Sequence, residues 1–154
     1  YVPHVMRYYQ FASLGTSNSK LVNIALSQLG NQGGIPYWSW YGYSSRVEWC
    51  ACFISWCAYQ SGDLDISIPK FSVVKDGIQY YQDKGQWKDK NHIPKTGDLI
   101  FFDWQQDGIS DHVGIIERVE NNIIYTIEGN SSNQVKRNNY LLKSKVIFGY
   151  SQIN

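Results

Sequence analysis

Two different spacings of apolar residues divide this chain near Pro94, and that division limits the folds open to it. Before that point apolar residues recur three and four apart, the interval of one helix face; beyond it they fall in short runs bounded by turn residues, the mark of strands. Leu21, Ile24, Ala25 and Leu26 predict a helix over Lys20 to Leu29, with Ser19 as its cap and Gly30 as its stop. Ser45-Arg-Val-Glu48 matches a capping box, so a second helix is expected from there to about Gln60, ended by Ser61-Gly62-Asp63. A shorter helix is expected over Val73 to Lys84. Pro94-Lys-Thr-Gly97 reads as a turn, followed by strands at Asp98 to Phe102, Asp111 to Val119, Ile123 to Glu128 and Lys145 to Tyr150. Helices first and antiparallel strands afterwards give an α+β domain, with helices packed on one sheet. Residues 1–18 read as a lead-in segment, and 19–154 as one domain.

A chain of 154 residues suits one domain with a core of its own. With 43% hydrophobic and 18% charged residues it belongs with globular rather than disordered chains. The formal net charge of +1 and the lack of a basic stripe argue against a nucleic-acid partner. No apolar run approaches membrane-spanning length, and a monomer is expected. The chain opens on Tyr1 with no signal-peptide pattern, which reads as a fragment or a processed product.

All 3 cysteines lie within Trp49-Cys-Ala-Cys-Phe-Ile-Ser-Trp-Cys57. An odd, tightly clustered set is not a disulfide framework. His4, His92 and His112 do not complete a zinc set with them. Cys50 falls in the opening turns of a helix, where the backbone dipole favours an anion and lowers a thiol's pKa. Taken alone it would pass for a buried structural cysteine; the second half of the chain changes that reading.

His112 opens a strand in Ser-Asp-His-Val-Gly, and Glu128 and Asn130 close the next in Ile-Glu-Gly-Asn. Side chains alternate faces, so the register of this hairpin decides which of them meet. A loop of Asn121-Asn122 alone pairs Glu120 with Ile123 and turns His112 away from Glu128. A three-residue loop, or an equivalent bulge, pairs His112 with Asn130 and Gly114 with Glu128. His112, Glu128 and Asn130 then share one face, with Gly114 leaving room between them. The catalytic arrangement therefore requires the odd loop or the bulge, and its shared face is expected to look toward the helix that carries Cys50.

So arranged, His112 takes the thiol proton and the thiolate attacks an amide carbon. His112 then protonates the departing amine and activates the hydrolytic water. Glu128 or Asn130 fixes the ring tautomer. A backbone N–H near Cys50 is the first candidate to hold the oxyanion, and a side chain of the Tyr-rich loop is a further one.

Four stretches in order carry a family resemblance: Glu48-Trp-Cys-Ala-Cys-Phe-Ile-Ser-Trp-Cys57, Pro94-Lys-Thr-Gly-Asp-Leu-Ile-Phe-Phe102, Asp111-His-Val-Gly-Ile115 and Ile127-Glu-Gly-Asn130. Over roughly residues 20 to 150 the chain resembles the CHAP domain, the cysteine- and histidine-dependent amidohydrolase/peptidase family of bacterial cell-wall enzymes. The resemblance implies a papain-like fold, with Cys50 as nucleophile, His112 as base, Glu128 as the orienting acid and Asn130 as a further polar residue. It implies a peptidoglycan substrate and an extracellular or cell-wall location; the chemistry of Cys50 and His112 requires no cofactor. An endopeptidase is favoured over an amidase acting where sugar meets stem. An inactive wall-binding module that keeps the fold, and a thiol protease acting on proteins, are the alternatives.

Two further features stand outside that template. Residues 30 to 45 read as a loop carrying Trp38, Trp40, Tyr41 and Tyr43, which either wall a cleft and hold glycan or peptide, or pack the loop onto the core. Asp103, Asp107 and Asp111 occupy the first, fifth and ninth positions of a calcium-type loop, with Gly108 at the sixth. Gln105 at the third position and Gly114 at the twelfth depart from that pattern, and a plain polar connection is the competing reading. His4 and His92 read as an exposed residue and a loop residue.

Overall fold

Helices lead and strands follow, as the two spacings imply. The computed structural model describes residues 19–153; the lead-in segment 1–18, with His4, lies outside the described residues. In chain order the helices are α1 (Lys20–Ser27), α2 (Ile35–Tyr41), α3 (Cys50–Ser61) and α4 (Val74–Asp83). The strands are β1 (Trp87–Asp89), β2 (Leu99–Phe102), β3 (His112–Glu120), β4 (Ile123–Ser131), β5 (Gln134–Leu141) and β6 (Ile147–Ser151). They form one antiparallel sheet in the order β1-β6-β2-β3-β4-β5.

Ser19 caps α1 as expected, its Oγ accepting from the Val22 N–H at 3.2 Å. The capping box at Ser45–Glu48 does not form. α3 begins at Cys50, with Trp49 in the cap position and no side-chain cap. Tertiary contacts override the local preference here. The Trp49 indole is buried, stacks on Tyr37 and donates from Nε1 to Asn133 Oδ1 at 3.2 Å, while the Glu48 carboxylate is drawn to Asn130. At the other end α3 stops where the sequence says, with Gly62 in the left-handed region.

α3 is buried on nearly every side and lies across the sheet. Its Phe53 sits on Gly129 of β4, where a Cβ would come within 2.5 Å of the Phe53 Cβ. The main core gathers α1, α2 and α3 against Leu99, Phe101, Val113, Ile115, Ile127 and Val135. The alternate residues of the same strands, Ile100, Phe102, Ile116 and Ile124, form a smaller cluster on the other face, with Ile147, Tyr150 and the half-buried Tyr140.

The β3–β4 hairpin satisfies both of its competing registers. Asn121 and Asn122 form a two-residue turn, both with positive φ (53° and 64°), and Glu120 pairs with Ile123. A bulge between Ile116 and Arg118 then shifts the ladder by one residue, so that Ile116 pairs with Thr126 and Ile115 with Ile127. Continued to the strand ends, this register sets Gly114 opposite Glu128 and His112 opposite Asn130. Glu117, the extra residue, is buried and held by the guanidinium groups of Arg118 and Arg137.

Candidate active site

Cys50 is the first residue of α3, where the N–H groups of the opening turn have no partner within the helix. Starting at Cys50 rather than upstream puts the sulfur closer to the positive end of the helix than the capping box would. His112 is the first residue of β3 and is 7% exposed. Its Nε2 lies 3.0 Å from Glu128 Oε1. The other ring nitrogen is left for the Cys50 sulfur, whose interaction with the ring favours the protonated imidazole.

The expectation that the His112 face looks toward the helices is corrected. Alternation places His112, Gly114 and Glu128 with the smaller cluster of Phe102, Ile116 and Ile124, away from the helix layer. The ring still meets Cys50 because His112 stands at the end of its strand and Cys50 at the end of its helix.

Burial pulls the His112 ring toward its neutral form, but the hydrogen bonds to Cys50 and Glu128 outweigh it and raise the pKa to about 10. Burial likewise works against the Glu128 anion, yet His112, Thr126 and Tyr140 together hold that carboxyl below its ordinary value. Glu128 is 1% exposed, and its second oxygen accepts from Thr126 Oγ1 at 2.5 Å and from the Tyr140 hydroxyl at 2.8 Å. Gly114 makes room for it: a Cβ at 114 would stand 2.8 Å from Glu128 Cγ.

The other two cysteines are placed differently. Burial first, and the neighbouring Cys50 second, push the Cys52 thiol up to about 11, and burial pushes Cys57 well above its ordinary value. Both remain protonated thiols in the core.

Asn130 is not a ring partner. It occupies the irregular step of β4 after Glu128, with φ of 57°, and its Oδ1 accepts from Arg46 Nη2 at 3.0 Å while its Nδ2 donates to Glu48. It joins the sheet to the segment leading into α3, and of the two candidates Glu128 is the one in contact with the imidazole.

Two hollows flank the pair. One, of about 380 Å³, is lined by Cys50, Glu48, Ser72, Val73, Val74 and Ile109. The other, of about 280 Å³, is lined by His112, Trp104, Asn130, Ser131, Asn138 and Tyr140. Trp104 and Tyr140 are contributors that the sequence reading missed. Each had a faint signal: Trp104 follows the buried run 99–102 by two residues, and Tyr140 is the sole aromatic in a mostly polar strand.

The stretch 35–41 is a helix rather than a loop. Within it Trp38 packs against the main core and donates from Nε1 to the Gly33 carbonyl at 2.9 Å. Trp40 lies 5.3 Å from Tyr59, and the Lys70 ammonium sits over the rings of Trp40 and Tyr41. Tyr41 stacks on Tyr43, whose hydroxyl meets Ser72 Oγ at 2.7 Å on the wall of the Cys50 hollow.

The three acids of the calcium-type loop cap a turn instead of converging. Asp103 accepts from the N–H groups of Asp107 (3.2 Å) and Gly108 (2.7 Å), Asp107 from Ile109 (3.0 Å), and Asp111 from Trp104 (2.8 Å). Among the described residues no group of three or more His, Cys, Asp or Glu side chains is arranged to hold a metal ion.

A cysteine at the head of a buried helix, meeting a histidine that a carboxylate holds on an antiparallel sheet, defines a papain-like α+β domain. Residues 40–130 match the model of the CHAP domain, more than half of the chain, and the chain belongs to that family. Two solved structures share the fold. The crystal structure of Ly7917 aligns with a TM-score of 0.58 at 17% identity, over 87% of this chain and 61% of that one. The structure of Ly7917 with the hydrolysing product of MDP aligns with a TM-score of 0.55 at 16% identity, over 88% and 62%. This chain thus spans less than two thirds of the length of either. No curated protein matches it.

Proposed function

We propose that this domain hydrolyses an amide bond of peptidoglycan through a thioester on Cys50. The observation that carries the reading is the continuous run of contacts from Cys50 to His112 to Glu128, buried along its length and flanked by two hollows. Membership of the CHAP family supports the substrate class, as does a structural neighbour solved with a hydrolysis product of MDP.

Proton transfer from the Cys50 thiol to His112 gives a thiolate–imidazolium pair that Glu128 stabilises. The sulfur adds to the amide carbon, and a backbone N–H of the first turn of α3 holds the resulting oxyanion. Collapse of this intermediate breaks the C–N bond while His112 gives its proton to the departing nitrogen. The neutral ring then takes a proton from water as that water adds to the thioester. Collapse of the second intermediate releases the acid and restores the thiol. His112 and water carry every proton in this sequence.

Within the substrate class we favour a peptide bond over the amide joining sugar to stem. The wall beside Cys50 is largely apolar, with Val73, Val74 and Ile109, and suits an amino-acid side chain on the acyl side better than a hydroxyl-rich sugar. Such a substrate places the domain at the cell wall, outside the cytoplasmic membrane. No helix among the described residues is long and apolar enough to cross a membrane.

The test is digestion of purified peptidoglycan by the wild type and by Cys50→Ala, with products read by mass spectrometry. New amino termini within stem or bridge peptides, absent with Cys50→Ala, are expected. Release of whole stems from the sugar would move the reading to an amidase. No products would favour a binding module, and cleavage of unfolded protein alone would favour a thiol protease.

A further inference from the structure

We infer that Tyr140, together with Thr126, is a positioning residue for catalysis: the two hydroxyls pin one oxygen of Glu128 and so keep its other oxygen on His112. The inference rests on the reading of Cys50 and His112 as a reactive pair, and extends that pair by two residues.

The two carboxylate oxygens of Glu128 have separate partners. Oε1 meets His112 Nε2 at 3.0 Å; Oε2 accepts from Thr126 Oγ1 at 2.5 Å and from the Tyr140 hydroxyl at 2.8 Å. A buried carboxylate needs such donors, since an anion without them loses its hydration and gains nothing in return. Thr126 belongs to β4, two residues before Glu128 on the same face, whereas Tyr140 comes from β5. The carboxylate is therefore held from two strands while His112 approaches from a third.

Tyr140 is itself fixed. Its ring centroid lies 4.8 Å from that of Phe102 and 6.3 Å from that of Trp104, and both of those rings also stand 5.7 Å from the imidazole. Burial, with the Glu128 charge adding to it, raises the pKa of the phenol, so the hydroxyl stays protonated and acts as a donor. The ionisable groups disposed around Glu128 are His112 from β3, Tyr140 from β5 and Lys136, its register partner on β5, with Cys50 of α3 beyond the imidazole.

A purely structural tyrosine would affect stability and leave the chemistry of Cys50 alone. A positioning tyrosine sets how firmly His112 keeps its proton, and hence the pH range over which Cys50 exists as a paired thiolate. The acid limit of that range is read without peptidoglycan, from the rate at which iodoacetamide alkylates Cys50 as pH is varied.

The experiment compares the wild-type chain with Tyr140→Phe, Thr126→Val and Thr126→Ser. In Tyr140→Phe and in Thr126→Val the acid limb should move up by about one pH unit, the loss expected for one charge-assisted hydrogen bond. Thr126→Ser, which keeps the donor, should retain the wild-type range. On peptidoglycan, kcat should fall about tenfold in Tyr140→Phe with KM little changed. Unchanged limbs in both Tyr140→Phe and Thr126→Val would overturn the inference alone, and the threonine pair decides the matter if the tyrosine variant does not fold. Wild-type Cys50 reacting as an ordinary free thiol would overturn the paired-thiolate reading beneath it. Limbs that move in the variants of a domain inactive on peptidoglycan would uphold the inference and remove only the substrate.

Discussion

Gly114 and Glu128 face each other across the β3–β4 ladder, and the stem of the glutamate fills the volume that any side chain at 114 would occupy. Gly114→Ala should therefore displace Glu128 from His112. The expected cost is about 1–3 kcal/mol of stability, the range for an overpacked core, with a larger proportional loss of activity. Urea unfolding and turnover of peptidoglycan measure the two separately. Adding Glu128→Ala to Gly114→Ala should return much of the stability and none of the activity.

The pairing of His112 with Glu128 makes stability depend on pH in a two-sided way. The folded histidine has its pKa raised to about 10, despite burial, by Cys50 and Glu128. A raised pKa stabilises fully below the unfolded value of about 6.5, and that contribution is lost as pH climbs toward 10. Glu128 is shifted the opposite way, downward, so its contribution is present above about 4.5 and lost as pH falls. The gap in Tm between wild type and Glu128→Gln should thus be widest between about pH 5 and 6.5 and narrow on both sides. Thermal melts of both proteins from acid to alkaline pH check this; a gap that does not vary would mean the two groups are uncharged in the fold.

Alkylation should distinguish the three thiols. Cys52 and Cys57 are fully buried, and burial raises the pKa of both, whereas Cys50 lines an open hollow. Iodoacetamide at neutral pH should add one label to the native chain and three in denaturant, with peptide mapping placing the native label on Cys50. Labelling of Cys52 in the native protein would contradict the burial described.

Asn130 ties the strand after Glu128 to Arg46 and Glu48, just ahead of Cys50. Asn130→Ala should lower kcat by loosening that segment, and Arg46→Ala should lower it to a similar extent. Because Arg46 and Glu48 are largely exposed, stability should change by less than about 1 kcal/mol in either variant. If Asn130 instead oriented the ring, Asn130→Ala would match the loss in Glu128→Gln and Arg46→Ala would leave the rate alone. Steady-state kinetics on the three variants separate these cases.

Much of this architecture was legible in the sequence because the deciding signals were local. The spacing of apolar residues places α1 and α3, Gly62 ends α3, and alternation within the hairpin forces the bulge once His112 and Glu128 are required to meet. What escaped depends on distant partners. The capping box at Ser45–Glu48 is sound locally, but Trp49 gains more by burying against Tyr37 and Gly34 than the box offers. β5 carries the mostly polar run Gln134–Leu141 because it is an edge strand, and only Val135, buried in the main core, and Tyr140, beside Glu128, mark its inward contacts. α2 escapes a reading of spacing because its aromatic residues make ring contacts with one another and with Phe53 and Trp56 of α3 rather than forming a regular stripe. The face occupied by His112 is not legible locally because alternation gives relative sides, while the side that receives the helices is settled by Gly129 admitting Phe53.

The bulge at Glu117 carries a rule for how such a hairpin can change length. Removing that residue would straighten the ladder, carry His112 through to the opposite surface and leave Glu128 facing a void, though the turn at Asn121-Asn122 would survive untouched. The sixteen-residue interval from His112 to Glu128 can thus lengthen or shorten only in twos, or by gaining or losing a bulge at the same time. An odd insertion without one would keep both residues in the sequence and set them on opposite sides of the sheet.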